Sequence, residues 1–92
     1  MSEYIEFEVE MMDDPAIMII TTNLTLAEFE AEYYPSSVEM AEGSMVAQVI
    51  AYIEGIQQLK IERNTLTVWR EPDVPWHHIV IDITAAVKEF FL

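Results

Sequence analysis

The sequence predicts an α+β domain, a two-layer sandwich in which a mostly antiparallel β-sheet carries two helices on one face. Two observations favour this fold class. Segments in which apolar and polar residues alternate, as in half-buried strands, lie before and after a segment of helical periodicity. Both predicted helices are apolar on one side only, so each can cover a single layer. The predicted order is β-β-β-α-β-β-α, in one domain that spans residues 1-92.

The chain opens with two predicted strands. Ile5, Phe7 and Val9 alternate strictly with glutamates, which is the pattern of a strand that is buried on one face and exposed on the other. The turn-forming segment 13–15 follows, and a β-branched run over 17–21 comes next. We therefore expect a strand, a turn and a second strand.

The segment 24–34 allows two interpretations. Thr25 and Glu28 have the spacing of a capping box, which favours a helix. Apolar residues that alternate with glutamates favour a strand instead. The Tyr-Tyr-Pro sequence at the end of the segment also favours a strand, which is therefore the prediction. The alternating apolar residues are Phe29, Ala31 and Tyr33. Segment 35–43 shows no clear period and is predicted to be a loop, with room for a turn of helix at 38–41.

A helix is predicted from Ser44, as N-cap, to Gly55, at the position after the C-cap. One apolar stripe runs along it at helical spacing. The stripe consists of Val46, Val49, Ile50 and Ile53. After the breaker segment 71–75, a second helix is predicted, with Asp73 as its cap and an apolar stripe from Trp76 to Phe90.

Between the two helices, segment 56–70 is predicted to be a β-hairpin with its turn at Arg63-Asn64. Strand alternation then assigns each cross-strand pair to one face of the sheet. The inward pairs are Ile61 with Leu66 and Leu59 with Val68, and the outward pairs are Lys60 with Thr67 and Gln58 with Trp69. A large aromatic side chain is therefore expected on the face that the helices leave open.

The composition excludes several classes of function. Seventeen acidic residues against four basic ones give a formal charge of −13, which repels nucleic acid and anionic membranes. No apolar run is long enough to span a membrane and no basic segment opens the chain, so we expect a soluble cytoplasmic protein. Without cysteine, these residues supply no disulfide, thiolate nucleophile or cysteine-ligated metal site.

No catalytic or cofactor site is predicted. The sequence holds only two glycines, too few for a phosphate-binding loop, and Ser44 lacks a His and an Asp at a spacing that suggests a triad. His77 and His78 project about 100° apart on a helix, so a metal site built on them is the weakest hypothesis. We expect neither an enzyme nor a bound metal or cofactor.

Four segments in the second half of the chain form a recognisable pattern through their order and spacing. They are Gly43-Ser44-Met45-Val46-Ala47, Ile53-Glu54-Gly55-Ile56, Leu66-Thr67-Val68 and Asp73-Val74-Pro75-Trp76. In this pattern the chain resembles the N-terminal domain of Nfu/NifU-type iron–sulfur cluster scaffold proteins. Family members usually continue into a second domain whose Cys-x-x-Cys holds the cluster. The resemblance therefore implies a stand-alone relative of the accessory domain, with a role in protein contact.

Two functions follow as expectations. The first is a non-catalytic interaction module, accessory to iron–sulfur cluster assembly, whose partner is an assembly component or a basic protein surface. The second is a structural or regulatory homo-oligomer that pairs through the open face of its sheet. The chain would be a monomer in the first case and a homodimer in the second.

Strand alternation places two rows of glutamates on the open face, where they would form an acidic docking surface for a basic partner. These rows are Glu6, Glu8 and Glu10 in the first strand and Glu28, Glu30 and Glu32 in the third. The candidate contact residues are Trp69, Lys60, Thr67, Glu6, Glu8, Glu28 and Glu30.

Overall fold

The computed structural model describes residues 5–27 and 30–91. In these residues the predicted α+β fold is confirmed, with one short helix added to the predicted order. The elements are β1 (Phe7–Met11), β2 (Ile17–Thr22), β3 (Glu32–Tyr34), α1 (Ser37–Ala41), α2 (Met45–Ile50), β4 (Ile56–Ile61), β5 (Thr65–Arg70) and α3 (Trp76–Phe91).

The strands form one sheet in the order β1-β2-β5-β4-β3, and each neighbouring pair is antiparallel. The β4–β5 hairpin therefore lies at the centre. All four of its predicted cross-strand pairs are confirmed. A register shift between Ile56 and Gln58 was not predicted, and it turns Ile56 into the core, where it is only 5% exposed.

The hydrophobic core lies between one face of the sheet, the helix face, and the helices. Strand alternation sends the apolar residues of β2, β4 and β5 to this face, and α3 covers them with a stripe at helical spacing. The fully buried large residues are Ile20, Met40, Ile50, Leu59, Ile61, Leu66, Val68, Ile79, Ile83 and Val87. On the opposite side of the sheet, the open face, none of the helices in residues 5–27 and 30–91 is packed.

The helices differ from the prediction at their ends. The Ser36 hydroxyl caps α1, a helix of five residues within the predicted loop. Ser44 caps α2 as predicted, but α2 ends at Ile50. Four further residues in turns and bends lead to Gly55, whose φ of 94° reverses the direction of the chain. The helix α3 begins directly after Pro75, so Asp73 lies in the preceding turn and does not cap it.

The predicted strand over 24–34 is only partly correct. Only β3 is a strand there, whereas Leu26 and Ala27 are buried in a loop, and residues 28 and 29 lie outside the described residues. The predicted faces are reversed, because Glu32 pairs with the core residue Ile61, and Tyr33 consequently lies on the open face.

Candidate interaction surface

The open face is a continuous polar and aromatic surface that crosses all five strands. The register places one residue from each strand in a single row. From β1 to β3 this row is Glu10, Ile19, Thr67, Lys60 and Tyr33. Two predicted contact residues, Lys60 and Thr67, therefore lie at the middle of the sheet and directly opposite each other. The row begins with an acidic side chain and ends with an aromatic one.

Trp69 lies in the neighbouring row, between Ile17 on β2 and Gln58 on β4. Its indole meets the Tyr33 ring edge to face, with ring centroids 6.1 Å apart and planes at 81°. The Tyr33 hydroxyl donates a hydrogen bond to the Gln58 side-chain carbonyl, which holds the ring in place. Trp69 is half-buried and Tyr33 is 54% exposed, so together they present a fixed aromatic surface to solvent.

Lys60 is the basic residue at the centre of this face. Its ammonium lies 3.7 Å from a carboxylate oxygen of Glu62, with the two side chains 42% and 49% exposed. An ion pair with that much solvent contact contributes about 1 kcal/mol or less to folding. The lysine is therefore free to exchange this intramolecular partner for one on another molecule at little cost in stability.

The acidic residues predicted to share the open face are more widely separated than expected. Glu8 and Glu10 do lie on it, since their partners on β2 are Thr21 and Ile19. The side chain of Glu6 is exposed just before β1, and its backbone N–H donates to the Asn23 side chain at 3.1 Å. Of the acidic residues in segment 28–32, the structure describes Glu30 and Glu32.

The expected second row of carboxylates on this face is absent from the described part of segment 28–32. Glu30 is exposed in a bend, whereas Glu32 lies on the helix face and accepts a hydrogen bond from the Tyr34 hydroxyl. Glu28 lies outside the described residues. A Cβ at Gly43 would overlap the Tyr34 ring. The absence of a side chain at Gly43 therefore leaves room for the Tyr34 ring on the helix face of the sheet. The strands β1 and β3 also lie at opposite edges, which separates their charges.

Sequence reasoning missed a cluster at the end of β5. The Arg70 guanidinium donates to the backbone carbonyl oxygens of Pro15, Pro72 and Val74 at 3.0 to 3.2 Å. It also lies 5.6 Å from the ring centroid of Trp76. With three carbonyl acceptors and an aromatic ring around its guanidinium, Arg70 stabilises the fold. The only signal in the sequence was that three of its four basic residues lie in segment 56–70.

A groove on the other side of the molecule separates α3 from the end of α2. It encloses about 610 Å³ and has an apolar floor with an acidic rim. Its lining residues are Val49, Tyr52, Ile53, Glu54, Asp82, Ala86, Glu89 and Phe90. Tyr52 is 88% exposed there, which makes it the natural counterpart of Trp69 in experiments that compare the two sides of the molecule.

The described residues contain no group of three or more His, Cys, Asp and Glu side chains able to hold a metal ion. The exposed rings of His77 and His78 lie 4.4 Å apart at the start of α3. Within residues 5–27 and 30–91, no helix has the length and apolar character needed to cross a membrane.

Residues 7–92 match the sequence profile of a family described as "Scaffold protein Nfu/NifU N terminal". The chain belongs to the Nfu/NifU N-terminal domain family. The match contains every strand and helix described above, so the resemblance drawn from the sequence is confirmed along the whole fold. A search of curated proteins gives no match.

Solved structures share the fold of this Nfu/NifU N-terminal domain. A NifU-like protein from Saccharomyces cerevisiae has a TM-score of 0.76 at 16% identity, over 92% of this chain and 76% of that one. The crystal structure of protein SAV1430 from Staphylococcus aureus has a TM-score of 0.71 at 15% identity, over 87% of this chain and 94% of that one. At such identities the likeness shows the fold alone.

Proposed function

We propose that this chain is a non-catalytic protein-interaction module that serves iron–sulfur cluster assembly without holding a cluster itself. The observation that carries the proposal is the family match over residues 7–92, because the family is described as a scaffold. Cysteine thiolates are the usual cluster ligands, and the sequence has none. The cluster is therefore held by another domain or protein, and this module contributes the contact to it.

The open face supplies the contact surface in this proposal. Aromatic side chains with fixed geometry are frequent at interface hot spots, because they bury a large area at a small cost in side-chain entropy. Trp69 and Tyr33 have this geometry. Lys60 and Thr67 lie beside them, and Glu8 and Glu10 mark the β1 side of the surface.

The charge of the chain indicates the kind of partner. A net charge of −13 favours encounter with a basic surface and opposes encounter with a second copy of the same chain. We therefore favour an assembly component with a basic contact surface and a monomeric module. A cytoplasmic location stays a prediction, which fractionation of the producing cell would test.

The experiment is affinity capture of the tagged chain from its own cell, with purified iron–sulfur assembly proteins then titrated by calorimetry. Truncation of a hot-spot aromatic costs about 2 kcal/mol or more, so Trp69→Ala is expected to weaken the complex by roughly thirtyfold. Tyr52→Ala removes an exposed aromatic on the opposite side, and we expect it to leave the affinity unchanged.

Light scattering on the purified chain tests the alternative function. A dimer in which Trp69 becomes resistant to fluorescence quenching would favour the homo-oligomer that pairs through the open face. A monomer that captures no assembly component would contradict the role in cluster assembly, and equal losses of affinity in Trp69→Ala and Tyr52→Ala would contradict the open face as its surface.

A further inference from the structure

The edge strand β1 leaves part of the hydrophobic core uncovered. Val9 and Met11 lie on the helix face, but they are 45% and 49% exposed. Their direct partners on β2, Ile20 and Met18, are 0% and 4% exposed. The helices therefore bury the apolar side chains of β2 but not those of β1. A row of apolar side chains stays in contact with water at that edge.

The opposite edge of the sheet offers a further strand few backbone groups to pair with. β3 has only three residues, and Pro35, which lacks a backbone N–H, follows it directly. Both of its tyrosine hydroxyls donate to neighbouring side chains, Tyr33 to Gln58 and Tyr34 to Glu32. β1 has five residues and, within the described part of the chain, pairs with β2 alone, so its outer side is the longer edge of this sheet.

The two faces of β1 have opposite chemistry. The glutamates Glu8 and Glu10 alternate with the apolar Val9 and Met11. The residues opposite these glutamates on β2 are Thr21 and Ile19 on the open face, neither of which carries a charge. A strand added along the outer edge would bring its own side chains beside these residues in cross-strand pairs.

We propose that the outer edge of β1 binds an extended segment of a partner protein in which basic residues alternate with aliphatic ones. The aliphatic side chains of this segment lie beside Val9 and Met11 and complete the core, while its lysines or arginines lie beside Glu8 and Glu10. The main-chain groups of the segment extend the sheet by one strand, as in other cases of β-strand addition.

A second copy of the chain is a poor occupant of this edge. If two β1 strands paired with each other, glutamates would face glutamates across the new ladder, and like charges in directly opposed positions are destabilising. The net charge of −13 on each copy adds to this repulsion. The same charges attract a cationic segment, which is why we assign the edge to a basic partner strand.

The probe is a blocked six-residue peptide, Lys-Val-Lys-Val-Lys-Val, titrated into the isotope-labelled chain and followed by amide NMR. We expect shift changes confined to β1 and β2, slower hydrogen exchange of β1 amides, and weaker binding at high salt. The control peptide, Lys-Lys-Lys-Val-Val-Val, has the same composition and charge without the alternation. We expect it to bind at least fivefold more weakly.

Two matched variants test the charge pairing. Replacement of Glu8→Lys together with Glu10→Lys turns two attractive cross-strand pairs into repulsive ones, so we expect at least fivefold weaker binding of the alternating peptide. The same variant should gain binding to Glu-Val-Glu-Val-Glu-Val. Replacement of Glu39→Lys together with Glu42→Lys, two exposed positions at α1, makes the same change in net charge and should alter the affinity less than twofold.

The proposal is overturned if the two lysine peptides bind equally, if the shift changes spread over the acidic surface, or if both double variants lose the same affinity. Failure to bind at 50 mM salt also overturns it. The inference is independent of the role in cluster assembly, because the peptide contains no assembly component. If the peptide binds but the chain captures no assembly component, the strand-binding role of the β1 edge is supported and only the proposed function is rejected.

Discussion

The indole N–H of Trp76 and the guanidinium of Arg70 both donate to the backbone carbonyl oxygen of Pro15, at 2.7 and 3.2 Å. One acceptor thus joins the β1–β2 turn, the end of β5 and the start of α3. The two donors also contact each other, since the guanidinium carbon lies 5.6 Å from the indole centroid. The guanidinium further donates to two carbonyl oxygens of the segment between β5 and α3.

Replacement of Arg70→Met should lower the free energy of unfolding by about 1.5 to 3 kcal/mol, because it removes charge-assisted hydrogen bonds and a cation–π contact. Arg70→Lys should recover only part of this loss, since an ammonium lacks the planar fork that reaches several carbonyls. Urea denaturation measures both values. The exposed Arg63→Met is the control and should stay within about 0.5 kcal/mol of the parent chain. A loss at Arg63 equal to that at Arg70 would contradict this role.

The cross-strand pair Ile20 and Val9 tests the uneven cover of the core. Ile20 is 0% exposed, so Ile20→Ala leaves a cavity and should cost about 2 to 5 kcal/mol. Val9 is 45% exposed on the same face, so Val9→Ala should cost less than about 1 kcal/mol. Chemical denaturation compares the two variants. Similar losses would mean that β1 is as well covered as β2.

The left-handed conformation of Gly55 makes a prediction about its substitution. Gly55→Ala introduces strain at a φ of 94°, and its Cβ would also overlap the Val74 side chain. We expect a loss of roughly 1 to 3 kcal/mol, which combines the strain with overpacking. In a Val74→Ala background the loss should shrink without vanishing, because only the overlap is relieved. Full recovery in the double variant would show that the backbone strain is negligible.

Substitution of Lys60 should separate binding from stability. Because its ion pair with Glu62 is nearly half exposed on both sides, Lys60→Ala should change the unfolding free energy by about 1 kcal/mol or less. If the open face binds a partner through Lys60, the affinity falls while the melting curve stays the same. A large loss of stability would instead make Lys60 a structural residue.

The central hairpin was predictable in detail because strand alternation has a period of two residues and both of its strands keep that period. Ile61 opposite Leu66 and Leu59 opposite Val68 follow from the turn position alone. The alternation fails only at Ile56, where the register shift sends an apolar side chain to the core. The sequence does carry a trace of this bulge, because Ile56 is out of phase with Leu59 and Ile61, and the polar Gln57 stands where alternation calls for an apolar residue.

The faces of β3 were not predictable, because Tyr33 and Tyr34 are adjacent and both amphipathic. Either one could face the core, and the choice is made by the packing of the Tyr34 ring at Gly43, which lies on a different element. The helix α1 is too short to show a period. Ile53 continues the stripe of α2 after the helix has ended, so the apolar spacing overestimated its length.

The cluster at Pro15 was hidden for a different reason. Its donors lie 55 and 61 residues away in sequence, and the acceptor is a backbone carbonyl that every residue type possesses. The resemblance to the family did include Trp76, as the end of an Asp-x-x-Trp segment. A hydrogen bond to the turn between the first two strands gives that tryptophan a physical role.

The sheet order has a consequence for how the chain reaches its native state. β4 and β5 are joined by a short turn, so they can pair early with little loss of chain entropy. β2 must then pair with β5, which is distant in the sequence, and contacts between residues far apart in sequence slow folding. The first two strands are therefore expected to add late to a preformed hairpin.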